Sequence, residues 1–374
     1  MAGSIGIKYA SSLLLLVYLL FHWRRLKLSH YEVLSLLIFA LFFPLLSLFI
    51  GITNGASADS IFTPLPILLT LPLIYFSLKI MPGTNIINYL FSTLYYLAII
   101  VVIANILAFF FPNIFRSINP LLKLIFSNLD VYQGTRTDAL VGKVYPRAAL
   151  FFVSAGIYYF FMDKLFRFFV LLTALILVVS KSGILILVGL ALLKLQKGFL
   201  LSYKFIVFVF TITVLGFLTY LIYPNYYDVL GALFVGQSET ATLRIQHFVS
   251  LLDHFDKNWL SLFFGQGVGT SFFTLGTNSF EMNIELDHFE TIRRYGLIWA
   301  IIVFSGVLII CFRLIFLGRY RSHTAIGIAL FAGFLAAGTN PVLISPPFMI
   351  LLVGAYGSMG LASLKNTEHH LDVK

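Results

Sequence analysis

Six ionisable residues fall in one run of ten, Glu285-Leu-Asp287-His288-Phe-Glu290-Thr-Ile-Arg293-Arg294. Carboxylates and histidine can accept a proton from an attacking hydroxyl. Arginine offers a planar fork that matches phosphate or developing oxyanion charge. Acid–base chemistry on an anionic substrate suits this set. If the run is helical, Glu285 and His288 share one face, while Asp287, Glu290 and Arg294 share another. Glu285 and Asp287 then lie about 200° apart and cannot act on one atom. The plainer alternative is a solvated pre-helix with a Glu290–Arg294 pair worth a few tenths of a kcal/mol.

Two further segments could contribute. Arg244 and His247 lie three residues apart in Glu239-Thr-Ala-Thr-Leu-Arg-Ile-Gln-His-Phe-Val-Ser-Leu-Leu. Leu243, Phe248, Leu251 and Leu252 there suit an amphipathic helix at a membrane surface. The segment Gly265-Gln-Gly267-Val-Gly269 is glycine-rich but matches no phosphate-loop pattern. A tight turn with positive φ is the favoured reading over a phosphate cradle. His247, His254 and His288 form no zinc-type spacing, so metal binding is not expected.

These residues must be positioned by membrane helices. Hydrophobic residues make up 60% of the chain and charged residues 11%, against about 25% charged in soluble domains. Apolar runs of membrane length recur at 5–23, 31–51, 61–80, 86–111, 148–162, 203–223, 296–316, 323–338 and 346–364, with a long stretch over 166–193. The first is read as a retained helix because it lacks a basic leader and a cleavage site. The single cysteine, Cys311, lies in an apolar run and cannot form an intramolecular disulfide. The chain is read as one all-α polytopic membrane domain, 1–374, with about 11 transmembrane helices (10–12).

Lys and Arg in short connections orient it. If 166–193 is a hairpin turning at Ser180-Lys181-Ser182-Gly183, the clusters Lys164/Arg167 and Lys194/Lys197 stay on one side. Each arm is then only ~20 Å long. The N-terminus is outside, the C-terminus inside, and two loops face outward, 112–147 and 224–294. The second holds eight of the fifteen acidic residues. Together the loops hold nine of the 25 Lys and Arg residues, including Arg136 and Arg147. Loop solvation and contact with lipid headgroups explain that charge as well as an anionic ligand does.

Three segments in this order resemble the O-antigen polymerase and O-antigen ligase superfamily of bacterial envelope glycosyltransferases. They are Val179-Ser-Lys181-Ser-Gly, then Leu243-Arg244 with Gly265-Gln-Gly267-Val-Gly, then Glu285-Leu-Asp-His-Phe-Glu-Thr-Ile-Arg-Arg-Tyr-Gly296-Leu-Ile. Arg136, Tyr145-Pro146-Arg147 and Asn340-Pro341 add to the likeness, which covers roughly 130–360. Ligases of this family place a histidine eleven residues before the glycine. Here that position is Glu285, so the chain is more similar to the polymerase (Wzy-like) branch. Lys181 also replaces a common arginine and loses its fork.

The resemblance implies a metal-independent enzyme at the outer face of the bacterial cytoplasmic membrane. It would join undecaprenyl-diphosphate-linked oligosaccharide repeat units, with membrane lipid and a chain-length regulator as partners and no nucleic acid. It assigns Arg244 to the leaving diphosphate and Glu285 to the base, with Asp287 and His288 as alternatives. Arg136, Arg147, Lys181, Arg293, Arg294 and Gly267 are expected to bind substrate. The rival activities are ligation to a lipid acceptor and transport of lipid-linked oligosaccharide. The second predicts related halves, and no internal repeat is visible.

Overall fold

The computed structural model describes residues 16–22, 29–57, 83–111, 113–118, 147–178, 180–192, 239–318, 320–338 and 345–371, with isolated positions between them. The predicted runs 61–80 and 203–223 fall almost wholly outside these residues. So do most of 5–23 and of the loop 112–147, together with Arg136, Asn340 and Pro341. Arg147 and Lys181 are described by their backbone alone.

The chain is mostly helical. Ser29 and Glu32 form a reciprocal capping box that opens α1, His30–Leu36. A π-helical turn, Leu37–Phe42, leads into α2, Phe43–Thr53. Pro44 near the start of α2 lacks an N–H, which is why the regular hydrogen-bond ladder is broken just before it. Next come α3, Gly83–Phe110; a 3-10 turn, Arg147–Phe151; α4, Phe152–Phe161; α5, Leu165–Leu177; and α6, Lys181–Leu192. The polar region carries α7, Glu239–Lys257; α8, Trp259–Phe264; β1, Phe272–Thr274; β2, Ser279–Glu281; and α9, Asp287–Tyr295. The chain closes with α10, Leu297–Phe316; α11, Arg321–Ala336; and α12, Pro346–Leu371.

Two helices are long and apolar enough to cross a membrane, Asn85–Ala108 within α3 and Leu297–Phe316. Both expose apolar side chains along one flank: Tyr96, Ile100 and Ile103 on α3, and Ile301, Ile309 and Phe312 on α10. The apolar helices α4, α5, α6 and α11 have 10–17 residues. They pack on one another with α3 and α12 around a core that includes Phe91, Phe152, Ile157, Leu171, Leu187 and Leu330. Small residues allow the close approach. A side chain at Gly333 of α11 would meet Ser154 of α4, and one at Gly156 of α4 would meet Leu187 of α6.

The stretch 166–193 is two helices. Ser180 N–H donates to the carbonyl of Leu175 at 3.0 Å and closes the turn. Gly183 on α6 lies against Leu175 on α5 and Val153 on α4, so α5 and α6 run antiparallel. The break lies between Leu177 and Lys181, slightly before the expected apex, and α6 is already helical at Lys181. At the other end of α5, Arg321 pairs with Asp163 and donates from Nε to the Phe161 carbonyl at 2.6 Å. Lys164, Arg167 and Arg321 therefore share one end of the bundle. The α5–α6 turn, the start of α10 and the end of α11 share the other, where the polar region lies.

That region is folded and is not all helical. Phe272 to Thr274 pair antiparallel with Glu281 to Ser279, a short hairpin in a chain that is otherwise mostly helical. Leu251 and Phe255 of α7, Phe272 of β1 and Ile284 form a small core of their own.

Candidate functional site

The region is anchored through backbone. Gly265 and Gly296 both adopt φ of 85°. A Cβ on Gly265 would strike the backbone of Arg294 and Gly296, and one on Gly296 the backbone of Phe263 and Phe264. Both positions need glycine for conformation and for clearance. Gly267 presses against Gly51 of α2. Val268 N–H donates to Ser47 O at 3.1 Å, Asn54 Nδ2 to Gln266 O at 2.8 Å, and Ser47 Oγ to Arg294 O at 2.7 Å. The glycine-rich segment is thus a turn that docks α2. Gly267 is committed to that contact, not opened toward a ligand.

Helix α9 follows Leu286, so Glu285 stands just outside it. Arg244 Nε and Nη2 both donate to Glu285 Oε2, at 3.1 and 2.7 Å. The pair joins residues 41 apart in the chain. The two side chains retain 27% and 48% of their surface, so a ligand can reach them. Glu285 is set by its neighbours. Ile284 is buried in the core shared with α7, the helix that carries Arg244. Met282 and Asn283 are gripped from α9, by Arg293 Nη2 and Arg294 Nη2 on Met282 O at 2.9 and 3.1 Å, and by Arg294 Nη2 on Asn283 Oδ1.

Arg293 departs from its expected role. It is fully buried. Nε and Nη2 donate to the Glu290 carboxylate at 2.9 and 2.7 Å. Nη1 donates to Gln266 Oε1 at 2.7 Å and to Thr270 at 3.2 Å, and the guanidinium carbon lies 4.9 Å from the Phe272 ring centroid. No donor is left for a substrate. Arg294 also commits its Nε to Glu290 at 2.6 Å, confirming the expected i,i+4 pair but in a buried setting. Burial pushes the Glu290 carboxyl upward, and Arg293 with Arg294 overrides it, holding the group below the usual carboxylate range. Burial acts against charge on Arg294, but Glu290 keeps the guanidinium more firmly protonated than usual.

The alternative bases point elsewhere. Asp287 is buried and accepts from Leu343 N–H, while its own N–H donates to Ala337 O at 3.2 Å. It ties α9 to the connection after α11. Asp287 and Glu285 have different partners, and because Glu285 precedes the helix their separation is set by tertiary contacts and not by helical spacing. His288 is wedged against Phe304 and Phe334, with centroids 5.2 and 4.6 Å away, and burial lowers its pKa. Neither is placed to take a proton beside Arg244.

His247 is buried and hydrogen-bonded to Thr274 of β1. Burial lowers its pKa, against the opposing fields of Glu281, Glu285 and Glu290. Ser250 accepts from Leu275 N–H at 2.9 Å, so one face of α7 grips the β-hairpin. The apolar face of α7 is split. Leu251 packs inward while Ile245, Val249 and Leu252 are exposed. The hairpin and its partners Thr274 and Ser250 escaped the sequence reading. Their signal was a Leu275-Gly-Thr-Asn278 turn flanked by aromatic residues. Among the described residues, no three His, Cys, Asp or Glu side chains are grouped to hold a metal.

No protein-family model, curated protein or solved structure matches the chain. The functional reading rests on this geometry and on the motifs.

Proposed function

We propose that the protein is a polysaccharide polymerase of the bacterial cytoplasmic membrane. It joins undecaprenyl-diphosphate-linked oligosaccharide repeat units at the outer face, and Arg244 and Glu285 carry the reaction. The observation behind this reading is the Arg244–Glu285 pair. The arginine and the first-choice carboxylate that the resemblance assigns to leaving group and base meet in an accessible ion pair. In this scheme the chain crosses the membrane about 11 times, with the polar region and the α5–α6 turn outward and the Lys164/Arg167/Arg321 end inward.

The chemistry uses the pair as an exchange. The diphosphate of the donor competes for Arg244, which turns from Glu285 to the phosphate oxygens. Glu285 is then free to accept the proton of the attacking sugar hydroxyl. The hydroxyl oxygen bonds to the donor's anomeric carbon, and the bond from that carbon to the phosphate oxygen breaks. Undecaprenyl diphosphate leaves with the electron pair while Arg244 stabilises its charge. Arg293, Arg294 and Glu290 do not touch substrate; they hold the 282–285 segment.

The test is purified protein in lipid nanodiscs with a defined lipid-linked repeat unit, with products separated by size. A ladder of chain lengths is expected. Single transfer to a second lipid identifies a ligase, and no new glycosidic bond rules out this chemistry.

A further inference from the structure

Seven buried side-chain polar atoms among the described residues have no hydrogen-bond partner. Four of them are His288 Nε2, Thr291 Oγ1, Tyr295 Oη and Trp299 Nε1. At 100° per residue, positions 288, 291 and 295 fall within about 60° of one face of α9. Trp299, one turn into α10, continues the row because its ring stacks on Tyr295 at 4.6 Å. Aromatic rings flank them, and Tyr295 also lies in the fields of Arg294, Asp287 and Glu290. His288 is flanked by Phe304 and Phe334, and Tyr295 by the Trp299 ring. Thr291 and Tyr295 are 2% and 3% exposed, so bulk solvent does not serve them.

One unpaired buried polar atom is tolerable, but four along one seam impose a desolvation cost that native structures avoid. The chemistry of the row is mixed. Trp Nε1 only donates, the two hydroxyls donate and accept, and His Nε2 does either according to tautomer. A single small ligand that can donate and accept at every step fits such a row. That ligand is water, whose buried molecules bind near polar groups that proteins leave unsatisfied.

We infer that the seam between α9 and the helical bundle is an internal hydration site, a file of ordered water held by His288, Thr291, Tyr295 and Trp299. The helix that grips the Glu285 segment then rests on the bundle partly through exchangeable water.

Radiolytic hydroxyl labelling of the wild-type protein in nanodiscs tests this directly, because bound water generates the oxidant in place. Tyr158 and Tyr159 are matched controls. They are 3% and 2% exposed, like Tyr295, but their hydroxyls are bonded to Asn88 and Arg167. Tyr295 should be oxidised measurably faster than these controls. A Tyr295 rate equal to that of Tyr158 overturns the site. A second measurement is independent of it. Tyr295→Phe removes one water contact from a hydrated seam and should lower the melting temperature by about 2 °C. In a dry seam the same change removes a penalty, so a raised melting temperature refutes the inference.

Discussion

Two arginine–carboxylate groups lie in the same polar region and are built oppositely. In one, Glu290 is enclosed between Arg293 and Arg294, with a side-chain exposure of 3%. Arg293 there has no donor to spare. In the other, Arg244 and Glu285 share one carboxylate oxygen and keep much of their surface. In the first group Arg293 has every donor committed, and the three side chains lock a segment in place. The second is half-exposed, so a ligand can compete for it. Identical residue types thus divide into a buried scaffold and an accessible pair, the one to which we assign the chemistry, according to how deeply the fold encloses them.

The largest effect should come from the enclosed group. Glu290→Gln strands two buried guanidinium groups and should cost about 3–5 kcal/mol. Chemical denaturation should show the loss, and product formation should fall with it because the Glu285 segment is released. If Glu290→Gln proves as stable as wild type, the division above is wrong. Next is Glu285→Gln, which keeps shape but cannot take the proton. Turnover should drop by about 10²–10⁴-fold. Because the Arg244 pair is exposed, stability should change by no more than about 1 kcal/mol. Arg244→Lys sharpens the contrast further. It keeps charge but not the fork, so little polymer should be restored relative to Arg244→Ala. Full activity in the Lys variant would show that charge alone suffices.

A smaller effect concerns acid. Burial lowers the pKa of His247, His254 and His288 in the folded chain, and for His254 the Arg293 charge adds to it. Each therefore binds a proton more readily when unfolded. Stability is complete above the unfolded value near 6.5 and is lost as pH falls below about 6.5. The Glu290 contribution persists in that window. It is present above the unfolded carboxyl value and fades only as pH falls through its lower folded value. Melting curves from pH 8 to 5 should show a decline that Glu290→Gln does not abolish. A flat profile would remove the histidines from this account.

Residue order carried much of this and missed some of it for a physical reason. Apolar runs marked α3 and α10, and the polar Ser180-Lys181-Ser182-Gly183 marked a break within 166–193. Helical spacing did not apply to Glu285, because α9 begins only at Asp287. What spacing could not reveal was saturation. Arg293 and Arg244 are the same residue, and only tertiary partners such as Gln266, Thr270 and Met282 O make one of them unavailable. The β-hairpin was hidden because its strands are three residues each, too short for a clear alternation. His247 looked like a companion of Arg244 on one helical face, but a distant hydroxyl, Thr274, claimed it.

The crossing of Gly265 and Gly296 bears on how such a chain could be recognised. Each glycine sits where a Cβ would strike the backbone around the other, so neither position can carry a side chain. A chain that keeps the docked polar region must keep both glycines, and one that loses either must rebuild the junction. Distant homologues should therefore be detectable by a coupled pair of glycines flanking a variable aromatic hairpin. That pair is a sparser signature than any contiguous motif, and it should outlast one.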